Sequence, residues 1–121
     1  MKQVLDLKKL VRENENYRKV LVTGKQSQVV MMSLPPGEEI GEEVHPNVDQ
    51  IFLIEDGKGE IMIDNKLLPI EEHSAAFVPA GAKHTVRCTG KKPLKLCSIY
   101  SQPVHAPELV EKSAPKTFVK T

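Results

Sequence analysis

Pro36-Gly37-Glu38-Glu39-Ile40-Gly41-Glu42-Glu43-Val44-His45-Pro46-Asn47-Val48-Asp49-Gln50-Ile51-Phe52-Leu53-Ile54-Glu55-Asp56-Gly57 and Phe77-Val78-Pro79-Ala80-Gly81-Ala82-Lys83-His84-Thr85-Val86 carry the punctuation from which the architecture is read. In both, short apolar runs are bounded by glycine and proline, the residues that turn a chain between strands. Working outward, Ile51–Glu55 gives way to Asp56-Gly57-Lys58-Gly59, and Glu60–Asp64 then alternates through Ile61 and Ile63. Asp64-Asn65-Lys66 is a tight reversal into Leu67–Ile70, a hairpin signal. Upstream, Tyr17–Thr23 alternates, Gly24-Lys25 turns the chain into Gln28–Leu34, and Pro35-Pro36-Gly37 ends that strand, because proline lacks a ladder donor. Ala75–Val78, His84–Thr89 and Leu94–Ser101 complete the set. About eight short strands at roughly 8–12-residue spacing predict an all-β sandwich or barrel.

Only the N-terminus has a helical rhythm. Val4, Leu7, Leu10 and Val11 recur at three- and four-residue spacing, which predicts one short helix or an edge arm within residues 1–16. The tail, residues 102–121, holds Pro103, Pro107 and Pro115 with lysines between. It is expected to wrap over the barrel as an extended segment and to fray at its end. With 121 residues, a single domain is expected over 1–121.

Composition removes several classes of partner. Seventeen basic and sixteen acidic side chains leave a net charge of +1, with no basic cluster, so nucleic acid is not expected. The longest apolar run, Val29 to Met32, is far short of a membrane span. The start, Met1 to Lys9, has no apolar signal region. Cys88 and Cys97 are too few for a disulfide framework and form no C-x-x-C pattern, so a cytoplasmic protein with reduced thiols is expected.

The two quoted stretches resemble the signature motifs of the cupin superfamily, G-x5-H-x-H-x4-E-x6-G and G-x5-P-x-G-x2-H-x3-N. The first motif runs from Gly37 to Gly57 with every spacing kept; its histidines fall on Glu43 and His45 and its glutamate on Gln50. In the second, Pro79, Gly81 and His84 match, His73 stands for the opening glycine and Cys88 for the final asparagine. The resemblance covers Gln28 to Ser101 and implies a double-stranded β-helix, or jelly-roll barrel, with a divalent metal at its mouth. The flanks, including Arg18-Lys19-Val20-Leu21 and Tyr100-Ser101-Gln102-Pro103-Val104-His105, are similar to small bacterial and archaeal cupins loosely labelled mannose-6-phosphate isomerase-like, a label that is weak evidence of activity.

Read as chemistry, Glu43 and His45 are two apart and would share one face of a strand. His84 follows a Pro-Ala-Gly turn that lets a new strand start close to another backbone. Two imidazoles and a carboxylate match the ligand set of non-haem iron sites, and Gln50 would add a neutral oxygen as a fourth ligand. Against the usual three histidines and one glutamate, the exchange keeps one negative charge facing the ion. Harder oxygen donors favour iron or manganese, with zinc and nickel compatible.

His105 and Tyr100 are the candidate catalytic groups, although a solvated loop histidine and a packed tyrosine are the plainer readings. His73 is expected in the φ > 0 turn conformation that a glycine would take. Cys88 shares the inward parity of His84 and is expected to be a buried, inert thiol. Glu38, Glu39 and Glu42 read as solvated loop surface.

Two functions compete. One is an enzyme acting on a small organic molecule by oxygenase or by isomerase or lyase chemistry at the metal. The other is a non-catalytic small-ligand or metal-sensing binding protein with the same pocket. In both a small-molecule ligand and a homodimer are expected, the latter through the N-terminal apolar stripe of Val4, Leu7 and Leu10 and the sheet pairing common among small cupins.

Overall fold

The computed structural model describes residues 3–115. One short helix, α1 (Leu7–Glu13), precedes ten strands: β1 (Arg18–Thr23), β2 (Gln28–Leu34), β3 (Glu39–Glu43), β4 (Gln50–Asp56), β5 (Lys58–Ile63), β6 (Lys66–Glu71), β7 (Ala75–Val78), β8 (His84–Cys88), β9 (Leu94–Tyr100) and β10 (Val110–Glu111). They form two antiparallel sheets, ordered β10-β1-β2-β9-β4-β7 and β3-β8-β5-β6. Each strand turns alternate residues inward, as period-2 geometry requires. Val30, Met32 and Leu34 of β2, Phe52 and Ile54 of β4, Ile61 of β5, Val86 of β8 and Leu94 and Leu96 of β9 meet in one buried core between the sheets. The result is the all-β barrel expected from the strand spacing, in the double-stranded β-helix form that the resemblance implies, with its one helix at the N-terminal end.

The predicted hairpin is present. Ile63 pairs with Lys66 across Asp64-Asn65, and Asp64 adopts φ +42, a conformation that a short polar side chain tolerates. His73 has φ +72, as expected of a residue standing at a glycine position. Gly59 shows why some glycines here cannot be replaced. A Cβ at that position would lie 2.4 Å from the Arg87 carbonyl oxygen, so β5 approaches β8 closely only because the side chain is missing.

Two expectations change. Glu39 and Glu42, expected as loop surface, lie on strand β3, which pairs with β8 in the register Glu39↔Arg87, Ile40↔Val86 and Glu43↔His84. Ile40 is the buried anchor of that strand; its acidic neighbours Glu39 and Glu42 are exposed and hide its strand character from sequence patterning. The N-terminal stripe is also used differently. Leu7, Leu10 and Val11 pack against Met31, Leu53 and Cys97 on the outer face of the larger sheet. Leu7 and Leu10 therefore belong to the chain's own packing, and only Val4, 82% exposed, is left outside it.

The tail is extended and adds β10 to the edge of β1, with Arg18 opposite Glu111 and Lys19 opposite Val110. Gln28 fastens it: its Oε1 accepts from the backbone N–H of Val104 and His105, and its Nε2 donates to the His105 carbonyl. The expected fraying falls on residues 116–121, which lie outside the described residues.

Candidate metal centre

Glu43 ends β3 and His84 begins β8, and the two are register partners. His45 lies beyond the end of β3, in the segment leading to β4, so its position does not come from strand alternation as the two-residue spacing suggests. A main-chain bond brings it in instead: the His45 carbonyl accepts from the Gly81 N–H at 2.9 Å. Gly81 has φ +85, so the Pro79-Ala80-Gly81 turn both starts the approach to β8 and holds the loop that carries His45.

The three side chains converge. Glu43 Oε1 lies 3.7 Å from His45 Nε2 and 3.7 Å from His84 Nε2, and one ligand atom from each residue falls within 4.8 Å of the others. Donor atoms held at about 2.1 Å by one ion stand roughly 3.0–3.4 Å apart, so each 3.7 Å Glu43–imidazole distance needs an inward shift of a few tenths of an ångström. Both Nε2 atoms are buried without a hydrogen-bond partner among the described residues. An orphaned buried polar atom is costly, and two facing one carboxylate are what a divalent cation would satisfy. The donor set fits such an ion.

His84 is prepared for that role. Its side chain is fully buried, it stacks edgewise near Phe52, and its Nδ1–H donates to the Ala82 carbonyl at 3.2 Å. That bond fixes the tautomer and leaves the Nε2 lone pair free. Burial pushes its pKa below the usual histidine value of 6.5, with the Ala82 bond and the Glu43 charge opposing. Burial likewise lowers His105. The unfolded chain, with ordinary histidines, therefore binds more protons than the folded one below about pH 6.5, and stability must fall as pH drops through that window. Urea midpoints of metal-stripped protein are expected to decline from about pH 7.5 to about pH 5. A flat profile would show that His84 and His105 accept protons in the fold without penalty.

Gln50, the first residue of β4, is 1% exposed. Its Nε2 donates to Ser98 Oγ at 2.6 Å, while its Oε1 is buried and unpartnered among the described residues. The amide thus has its nitrogen tied down and its oxygen free, the arrangement a neutral ligand needs. Tyr100 and His105 also come together. The Tyr100 hydroxyl is 3.2 Å from His105 Nε2, and the Tyr100 ring meets His45 edge-on with centroids 5.5 Å apart. Burial raises the Tyr100 pKa to about 12. His105 is therefore half-buried against the His45 side of the cluster and not a solvated loop residue; Gln28 holds its backbone there. Cys88 is 1% exposed within the core and its thiol donates to the Lys92 carbonyl, as expected of an inert buried cysteine.

Sequence reading missed Arg18. It lies inward on β1, 7% exposed, with one guanidinium nitrogen 3.3 Å from Glu43 Oε2 and the other 2.7 Å from Glu111 Oε1. Its signal was its parity with buried Val20 in an alternating strand. Its partner Glu111 carried no such signal, because it comes from the tail.

The chain is 44% identical over 108 residues to the uncharacterized protein YrkC of Bacillus subtilis, covering 84% of this chain and 58% of that protein, so it spans little more than half of that relative. An uncharacterized protein of Acanthamoeba polyphaga mimivirus is 32% identical, with 94% of this chain and 74% of the relative covered. The crystal structure of BH2720 from Bacillus halodurans superposes with a TM-score of 0.90 at 36% identity, covering 93% of this chain and 89% of that one. The family model for the Cupin domain matches residues 30–100, more than half of the chain. The chain belongs to the cupin family.

Proposed function

We propose that this cupin binds one divalent metal through Glu43, His45 and His84, with the Gln50 carbonyl as a fourth ligand, and acts on a small organic molecule there. The observation that carries this reading is the convergence of Glu43, His45 and His84, with His45 Nε2, His84 Nε2 and Gln50 Oε1 each buried and unpartnered among the described residues. Two oxygen and two imidazole donors favour iron or manganese, with zinc and nickel compatible. Bound there, the ion would polarise an oxygen of the ligand. Oxygenase and isomerase or lyase chemistry both fit such a centre. Elemental analysis of protein purified without chelators tests the reading: about one metal per chain is expected, and its absence after reconstitution would sink it.

Turnover, as opposed to sensing alone, is supported by the Tyr100–His105 pair beside His45. A metal sensor has no use for a second titratable pair, whereas an enzyme needs a proton donor or acceptor near the ion. Two buried free thiols, Cys88 and Cys97, suit a reducing compartment such as the cytoplasm; no helix among the described residues is long and apolar enough to cross a membrane.

The homodimer expectation moves to another surface. Val29 pairs with Ile99, Ile99 with Ile51, and Ile51 with Phe77. This makes an apolar row across β2, β9, β4 and β7 that turns away from the core. Ile51 is 37% and Phe77 56% exposed. A second copy laid on this row would cover it. Light scattering is expected to give twice the chain mass at tens of micromolar, and Phe77→Glu is expected to return a monomer. A monomeric parent protein at that concentration would rule the dimer out.

A further inference from the structure

Arg18 reaches the metal cluster from a side that the ligand set does not use. It stands on β1 directly opposite Glu111 of β10, its guanidinium carbon 5.1 Å from the centre of the Tyr17 ring. One nitrogen takes Glu111 Oε1 at 2.7 Å and another takes Glu43 Oε2 at 3.3 Å. Glu43 is thereby divided: Oε1 faces the two imidazoles at 3.7 Å, and Oε2 faces a guanidinium.

We propose that Arg18 is a positioning residue that restricts Glu43 to a single metal-binding oxygen, keeping open a coordination position that a chelating carboxylate would fill. Glu111 is its anchor, so strand β10 of the tail helps to set the coordination of an ion that it does not touch. This rests on the metal reading given above.

The physical argument has two parts. A carboxylate whose second oxygen is free can close onto a cation with both oxygens, as bidentate ligands do for divalent ions. An oxygen already bonded to a guanidinium, largely out of solvent, must first give up a charge-assisted hydrogen bond. The second part is electrostatic. Arg18 places a positive charge beside a site meant for a dication, which weakens metal binding, and Glu111 offsets that charge. The planar fork of arginine holds two carboxylates in fixed directions, which a lysine point charge cannot do. The consequence for function is access: an open position on the ion is where an outside ligand enters.

The test uses Mn(II) as the probe, added to the full chain and to the variants Arg18→Met and Glu111→Gln, with affinity from chelator competition and exchangeable waters from water-proton relaxation. In Arg18→Met, Glu43 is free to chelate. With six positions about Mn(II) and four filled by protein, loss of one of two waters should cut the relaxation enhancement by roughly half. Affinity should rise by about tenfold, since a repelling charge is gone and a donor is gained. A merely structural role for Arg18 predicts the opposite sign, weaker binding with the water number unchanged, and that result would overturn the proposal. Should Arg18→Met fail to fold, Glu111→Gln decides: Arg18 keeps its charge without its anchor, and Mn(II) should bind several-fold more weakly. Unchanged affinity in that variant would overturn the proposal as well. Failure of the parent protein to bind Mn(II), Fe(II), Zn(II) or Ni(II) would remove the metal reading and this inference with it, whereas binding in the parent with unaltered variants defeats this inference alone.

Discussion

Replacing His84 with alanine is expected to abolish metal retention while both β-sheets stay in place. The imidazole is fully buried, its Nδ1–H is committed to Ala82, and its Nε2 has no hydrogen-bond partner among the described residues and lies 3.7 Å from Glu43 Oε1. Removing it leaves Glu43, one imidazole and one amide. Loss of supporting groups around a metal commonly weakens binding by about 10–100-fold, and loss of a direct ligand should exceed that. The structural penalty is bounded. Deleting a buried ring leaves a cavity and costs a few kcal/mol, about 2–4 by analogy with other large-to-small core changes, against a typical domain stability of about 5–15 kcal/mol. The far-ultraviolet dichroism spectrum should therefore be unchanged at 25 °C, while mass spectrometry finds metal in the parent protein and none in the variant. Equal metal content in the two proteins would place the ion elsewhere.

The second large effect is expected from Gln50→Glu, and it has opposite signs with and without metal. In the metal-free protein a carboxylate would replace an amide that is 1% exposed, and Ser98 would lose the amide donor it now accepts from at 2.6 Å. A buried carboxylate without a cation is strongly disfavoured, so the thermal midpoint should fall by several degrees relative to the parent. Adding metal supplies the cation. The charged ligand should bind it about tenfold or more tightly than the amide does, and the midpoint should recover. The extra charge should also make a water on the ion less acidic and repel an anionic ligand. A sensor of an anionic molecule would then lose affinity, whereas an enzyme with a neutral substrate would change mainly in rate. Equal metal affinity in titrations of both proteins would mean that Gln50 never touches the ion and only lines the barrel mouth.

Much of the site is legible in the sequence because its members lie at short, punctuated spacings. His84 follows Pro79-Ala80-Gly81, a turn whose positive φ at Gly81 admits few other residues, and that turn could be read directly. Glu43 and His45 could be paired from their spacing, but the reason for their proximity could not. The spacing points to a shared strand face, whereas a hydrogen bond from the Gly81 N–H to the His45 carbonyl holds His45 in place. The roles of His105 and Tyr100 were similarly open. Tyrosine at the end of a strand and histidine in a proline-rich tail have no mutual pattern, and only the Gln28 clamp on residues 104 and 105 brings them within 3.2 Å.

By itself the sequence determined what is local: strand alternation, the Asp64-Asn65 reversal, the turn at Gly81, and the chemical types of the candidate ligands. Each of these depends on residues a few positions apart, where φ preference and side-chain parity act without reference to the rest of the chain. Tertiary structure alone decided which remote groups share a low-dielectric space. It put the N-terminal leucines onto Met31 and Cys97, turned Glu39–Glu43 into a strand through its pairing with β8, and set Arg18 and Glu111 behind the Glu43 carboxylate. Those outcomes depend on contacts between segments 25 to 93 residues apart for the Arg18 pairs. A charged residue in an alternating strand carries no record of the partner that will neutralise it, because the partner is chosen when the sheets close and both charges lose their water.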